Sequence, residues 1–278
     1  DLMAESLNCI GNFYDAADPQ AFEHVLQLVL EQAMHNTTVQ VDLLNHAGEA
    51  TESNLAYSFT DSRTGAHHPQ WVHTLRWGGG ADTLYIDPLP LYTLTVHSLP
   101  EARLDSLALK PGVHNTIAMP DMGTGHLTPQ FARGVRTDYG KVKVQWFAQG
   151  ACEPFYSSDA GERIRLRAGT YDLTFGTTPP LTVAGVQVEE GQDAKVEIPA
   201  PGSLVLQAAT SGYAVVIEAQ SLRPVLQFDA SDLAGMHTLQ PGDYSVIFRA
   251  RNARGTLYSI QKNFTVASGN TTTIKLHG

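Results

Sequence analysis

Leu89-Pro90-Leu91-Tyr92-Thr93-Leu94, Ala168-Gly169-Thr170-Tyr171-Asp172-Leu173 and Pro241-Gly242-Asp243-Tyr244-Ser245-Val246 share one grammar: a Pro or Gly, then two residues later a tyrosine entering a strand. Each is followed by a second turn and a closing strand, Lys110-Pro111-Gly112 before Ile117, Glu190-Gly191 before Val196 and Ile198, and Ser268-Gly269 before Ile274 and Leu276. Gly112, Gly191 and Gly269 recur 79 and 78 residues apart, and the tyrosines 79 and 73. The joints repeat too, Met119-Pro120 leading to Gly125-His126-Leu127 and Ile198-Pro199 to Gly202-Ser203-Leu204. A period near 78 residues is long enough for each unit to close its own core, unlike solenoid repeats that bury a core only by stacking. The spacing predicts three modules, 37–120, 121–200 and 201–278, strung as beads on short Pro-containing linkers. An aromatic just inside a strand after such a turn packs on the core and sends its hydroxyl to a nearby carbonyl.

Working outward, apolar residues alternate with polar ones at Val39, Val41 and Leu43, at Leu84 and Ile86, at Val142 and Val144, at Ile164 and Leu166, and at Ile274 and Leu276. Period two, broken by Gly and Pro turns, predicts half-buried strands. With no second strong helical period among them, the fold class is mainly β, tandem antiparallel β-sandwich modules with one N-terminal amphipathic helix. That helix is predicted from Asp18-Pro19, a cap followed by a residue whose missing N–H costs nothing in the first turn. Phe22, Val25, Leu26, Val29, Leu30 and Ala33 then form one apolar stripe that ends before Asn36-Thr37-Thr38 and must bury against something.

Composition narrows the classes. The 278 residues are 42% hydrophobic and 17% charged, which suits a folded chain. A net charge of -10 with dispersed Lys and Arg offers no stripe for phosphate backbones, which argues against nucleic acid and anionic membranes. No apolar run reaches the roughly 20 residues of a membrane span. The opening Asp1-Leu2-Met3-Ala4-Glu5 is not a signal peptide and suits a soluble piece of a longer precursor. Cys9 and Cys152 are too few for a disulfide framework; they either form one bridge or stay as two buried or inert thiols.

Leu2 to Leu7, the turn and aromatic stretch Gly11-Asn12-Phe13-Tyr14-Asp15-Ala16, the acidic-Pro cap Ala17-Asp18-Pro19 and the helix Ala21 to Met34 follow one another in a familiar order. On these elements residues 1–35, a helical tail running to residue 36, resemble the end of a von Willebrand factor A domain. The resemblance implies adhesion, and it implies that the Phe22–Ala33 stripe once covered that domain's sheet and here packs on the first sandwich or on another chain. The family's metal loop, Asp-x-Ser-x-Ser, is absent; Ser53, Asp61 and Ser62, or Asp229-Ala230-Ser231-Asp232, do not reproduce it, so no metal site is carried over. The strand–Gly-turn–strand grammar is similar to surface-layer-type and carboxypeptidase-regulatory-like β modules of extracytoplasmic bacterial proteins.

Candidate chemistry is sparse. His67, His68 and His73 flank Pro69 and Trp71 without a Cys or carboxylate at ligand spacing, so they read as a solvated loop between strands rather than a zinc site. Gly78-Gly79-Gly80 is followed by a strand pattern, Asp82 to Ile86, and reads as a hairpin turn rather than a phosphate cradle. Exposed Trp71, Trp77 and Trp146 are the candidate binding residues, able to stack on sugar rings, with core packing as the competing reading. No Gly-x-Ser-x-Gly and no ordered Ser, His and Asp set is evident, and Glu189-Glu190 lies in a repeat turn where charge keeps an edge solvated. Asn-x-Thr sequons stand at Asn36, Asn263 and Asn270. The sequence therefore predicts a non-enzymatic, cofactor-free structural or adhesive array outside the cytoplasm, supporting an A-type domain and binding a protein partner. A carbohydrate-binding array is the alternative.

Overall fold

The computed structural model describes residues 19–132, 139–229, 233, 235–254 and 259–276. Among the described residues one helix, α1 (Pro19–Asn36), precedes 21 strands, and the chain forms two compact units, Asp1–Gly123 and Thr124–Gly278.

In the first unit the strands are β1 (Thr38–Leu43), β2 (Leu55–Asp61), β3 (Trp71–His73), β4 (Thr83–Tyr85), β5 (Tyr92–Val96), β6 (Ala102–Leu107) and β7 (His114–Met119). They make a three-stranded sheet, β4-β1-β7, and a four-stranded sheet, β3-β2-β5-β6. The second unit opens with β8 (Thr124–Phe131), β9 (Lys143–Ala148), β10 (Tyr156–Asp159), β11 (Ile164–Arg167), β12 (Gly169–Phe175), β13 (Leu181–Val188) and β14 (Asp193–Ile198). It continues with β15 (Gly202–Ala208), β16 (Gly212–Glu218), β17 (Pro224–Phe228), β18 (Met236–Leu239), β19 (Gly242–Ala250), β20 (Ser259–Val266) and β21 (Thr271–Leu276). The sheets β11-β8-β14 and β10-β9-β12-β13, then β18-β15-β21 and β17-β16-β19-β20, repeat the strand order of the first unit. One seven-strand topology therefore occurs three times.

The pairing is antiparallel except at one place in each sandwich. First and last strands run parallel, Val39 beside Asn115, His126 beside Asp193 and Ser203 beside Thr271. The sandwiches are otherwise antiparallel as expected, and the parallel pair is what alternation does not reveal, since it shows which face a residue takes but not the direction of its neighbour.

Alternation is realised most cleanly in β1, where Val39, Val41 and Leu43 are buried between half-buried Thr38, Gln40 and Asp42. These three join Tyr57, Phe59 and Leu94 from the other sheet in one core. Leu204 and Leu206 likewise meet Val216, Tyr244 and Val246 in the last sandwich. Burying each such side chain is worth about 1.5–3 kcal/mol, which is why the two faces of every strand differ so sharply.

Helix α1 forms where the spacing predicts it, but its stripe is not covered within the described residues: Phe22, Leu26 and Val29 are exposed and Val25 half-buried. The predicted packing of that face on the first sandwich is thus not seen. The Asp18 cap and the remaining motifs of residues 1–18, with Cys9, lie outside the described residues. Cys152 is a free thiol and exposed, so of the alternatives read for it, one bridge or two buried or inert thiols, burial does not apply.

Candidate functional site

The three tyrosines of the repeat do what the grammar predicts. Tyr92, Tyr171 and Tyr244 are buried, and their hydroxyls donate to Asp87 O at 2.9 Å, Arg167 O at 2.8 Å and Gln240 O at 2.8 Å. Burial pushes the Tyr92 hydroxyl up to about 12, with the charges of Asp87 and Asp61 adding to the rise. These are core tyrosines that fix a corner.

The tryptophans do not form a ligand platform. Trp146 is fully buried and its Nε1 donates to Ser158 Oγ at 2.9 Å. Trp71 is half-buried against the core, its ring centroid 5.9 Å from Tyr57 and 6.1 Å from Phe59. Only Trp77 of the three is fully exposed, at the tip of a hairpin closed by the Leu75–Ala81 bridge and by Arg76 N donating to Gly80 O at 2.8 Å. The reading of Trp71 and Trp146 as exposed stacking residues is therefore corrected. The signal was present for Trp146, which continues the buried alternation of Val142 and Val144.

The histidines disperse as well. His67 pairs with Thr60 at 2.9 Å and His68 with the Tyr92 hydroxyl at 3.3 Å. His73 is not in a solvated loop: it lies in β3, 3% exposed, with Nε2 2.9 Å from Val41 O. Among the described residues no group of three or more His, Cys, Asp or Glu converges as metal ligands would. No helix there is long and apolar enough to cross a membrane.

One arrangement escaped the sequence. Ser58 Oγ lies 3.1 Å from His97 Nε2, and His97 Nδ1 lies 3.0 Å from Glu101 Oε1. Serine, imidazole and carboxylate in line are the parts that activate a nucleophile, but Ser58 is buried in the sheet. The relay instead braces the 97–101 loop, where Ser98 Oγ donates to Pro100 O at 2.7 Å after a cis Leu99–Pro100 bond. The second sandwich repeats that loop, with Thr177 Oγ1 donating to Pro179 O at 2.7 Å after a cis Thr178–Pro179 bond.

In the second unit this loop meets the tyrosine corner of the last sandwich. Gln240 N donates to Thr178 O at 2.7 Å. The Tyr139 hydroxyl donates to the same oxygen at 3.2 Å and accepts from Thr178 N at 3.1 Å, while its ring stacks on Phe131. Burial pushes the Tyr139 hydroxyl up, opposed by its bonds to Thr178 and by the nearby Gln240 amide. The linker is packed too, since Ala200 and Pro201 are buried. Beside this joint lies a cleft of about 380 Å³ whose lining includes Pro179, Pro180, Pro241, Glu218, Asp243 and Gln240. Gln240 is 5% exposed, and its Nε2 makes no hydrogen bond of normal geometry.

No family model matches the chain, and no curated protein matches it. Among solved structures, the chain is similar to the Bacillus anthracis TIE protein, at 12% identity and a TM-score of 0.26, over 86% of this chain and 50% of that one. It is also similar to GBS52, the minor pilin of Streptococcus agalactiae, at 13% identity and a TM-score of 0.31, over 55% of this chain and 94% of that one. BcpA, the major pilin subunit of Bacillus cereus, matches at 10% identity and a TM-score of 0.25, over 86% of this chain and 98% of that one. The chain spans half the length of the first of these. At such TM-scores the likeness carries no role across to this chain.

Proposed function

We propose that the chain is a non-enzymatic structural and adhesive array outside the cytoplasm, with modules at 37–120, 121–200 and 201–278 that support an A-type domain and engage a protein partner. The observation that carries this reading is the joint itself. Gln240 N, Thr178 O and Tyr139 form one hydrogen-bonded node between two sandwiches, over a linker whose Ala200 and Pro201 are buried. A chain whose modules merely coexist has no need to satisfy backbone groups across a joint. A spacer that must hold its direction does, because each such bond removes a rotation that a flexible linker would leave free. The fully exposed Trp77 alone does not favour the carbohydrate alternative, which needs several rings on one face.

Limited proteolysis with mass spectrometry tests the reading. A protected fragment spanning about 124–278, cut near 199–201 only after Tyr139→Phe and Gln240→Pro are introduced together, is the expected result. Cleavage at 199–201 in the unaltered protein under native conditions would show a hinge and overturn it.

A further inference from the structure

The four-stranded sheets of the three sandwiches end on equivalent strands, β6, β13 and β20, and of these β20 alone pairs without a bulge. The pairing of β5 with β6 shifts register between Tyr92 and Leu94, and that of β12 with β13 between Tyr171 and Leu173. The extra residues there include Ser106 at φ 60° and Gly185 at φ 70°. The second bulge is pinned by Gly185 N, which donates to Asp172 Oδ1 at 2.8 Å. In the third sandwich the same step runs from Tyr244 to Val246, and the register is unbroken from Gly242 beside Val266 to Arg249 beside Ser259. Asn263 sits opposite Ser245 in regular pairing, where its counterparts are bulged. A bulge turns an edge away from further pairing, whereas an eight-residue edge with no bulge, Pro or Gly is a template for another strand.

The backbone groups that face this edge can be named. Ala219 N donates to Asp243 O and Arg251 N to Ser211 O, each at 2.9 Å, so the odd-numbered residues of β19 face β16 and the even-numbered ones face β20. Even residues of β19 stand beside even residues of β20, which leaves Ser259, Gln261, Asn263 and Thr265 to turn N–H and C=O outward. Thr265 O accepts from Thr272 Oγ1 at 3.0 Å and keeps a second lone pair. Among the described residues β20 pairs with no strand but β19. The strand has no carboxylate, and its one charge, Lys262, donates to Lys275 O of the other sheet at 2.6 Å, away from the edge it would otherwise guard.

We propose that two copies of the chain pair antiparallel through β20, about a two-fold axis at Asn263, which joins their four-stranded sheets into one continuous sheet. Odd residues must lie opposite odd ones, both to bring the outward amides together and to keep the core faces aligned. Two such registers overlap most of the strand. Centring on Lys262 sets two ammonium-bearing side chains directly opposite, which is repulsive. Centring on Asn263 sets Ile260 against Val266, Lys262 against Phe264 and Gln261 against Thr265, with no like charges opposed. A single strand pair buries less than the roughly 1,200 Å² of a standard interface, so the association is weak, with Kd on the order of 100 μM. It does not depend on the joint between Thr178 and Gln240, so the proteolysis of that joint and the self-association of the chain succeed or fail separately.

Sedimentation velocity of the full chain, from about 10 μM to about 1 mM, tests the pairing. A reversible monomer–dimer equilibrium is expected. Asn263→Pro removes an outward N–H while leaving the ladder to β19 whole, a change that edge strands tolerate, and should leave a monomer with unchanged amide exchange in β19. Asn263→Asp puts two carboxylates opposite one another without touching the core and should weaken the dimer about 10-fold at neutral pH. In a Cys9→Ser, Cys152→Ser background, Asn263→Cys should form a disulfide between copies, because residues opposed at the axis have Cα atoms roughly 5.5 Å apart. Gln261→Cys should not, since its two copies lie roughly 14 Å apart in this register. A chain that stays monomeric throughout, a dimer equally strong in both Asn263→Pro and Asn263→Asp, or a disulfide formed as readily at 261 as at 263 would each overturn the proposal.

Discussion

The first strand of each sandwich begins beneath the closing turn, and the first sandwich meets that crowding differently from the other two. In the second and third the residue is Gly125 or Gly202, and a Cβ there would stand 2.2 Å from Glu189 O or 2.4 Å from Ala267 O. The turn amides Gly191 N and Gly269 N then bond to the carbonyls just before, Thr124 O at 2.8 Å and Pro201 O at 2.9 Å. In the first sandwich the corresponding position is Thr37, fully buried, and Gly112 N bonds to its Oγ1 at 2.8 Å. One turn amide needs one acceptor; it is supplied either by a close backbone carbonyl that leaves room only for glycine, or by a side-chain hydroxyl that holds the turn a little further off.

The comparison breaks most sharply at the glycines. Gly202→Ala should destabilise the last sandwich by about 3 kcal/mol, since the clash is with backbone and cannot be relieved by a rotamer. Hydrogen exchange of peptides from β15 reads this as a rise of roughly 100-fold, and Gly125→Ala should do the same in β8. Unchanged exchange would mean that the turn yields and that the close approach is incidental.

Thr37→Gly makes the first sandwich look like the others, yet it should not be neutral. It removes the acceptor of Gly112 N and should cost about 1–3 kcal/mol, with Thr37→Ser recovering most of it. Urea unfolding followed by exchange in β1 and β7 measures both. A neutral Thr37→Gly would show that the turn had settled onto a backbone carbonyl after all.

A smaller effect tests what the sandwiches share. Burial pushes the Tyr57 and Tyr92 hydroxyls up to about 12. Unfolded tyrosine ionises near pH 10, so the stability contributed by keeping these groups protonated is whole below about pH 10 and is lost as the pH rises towards 12. Tyr92→Phe should cost about 1 kcal/mol at neutral pH, through the lost bond to Asp87 O, and should flatten the alkaline decline. An unchanged slope would place that hydroxyl in water in the folded state.

Much of the architecture is legible in local pattern. Tyr92, Tyr171 and Tyr244 mark corners because a turn, a bulky ring and an alternating strand are all set within a few residues. Trp146 was legible in the same way through Val142 and Val144, and only its size invited a binding role. The joint was not legible: Gln240 and Thr178 are far apart in sequence, and both belong to loops whose neighbours give no sign of each other.

By itself the sequence determined the period, the strand faces, the corner tyrosines and the helix of residues 19–36, because each follows from turn chemistry and side-chain alternation over short distances. Tertiary structure alone decided that first and last strands lie parallel, that Ser58, His97 and Glu101 meet, and that Thr178 O receives Gln240 N. Those outcomes depend on which surfaces are left to pack after each sandwich closes, a balance of area and unsatisfied polar groups that no short stretch of residues encodes.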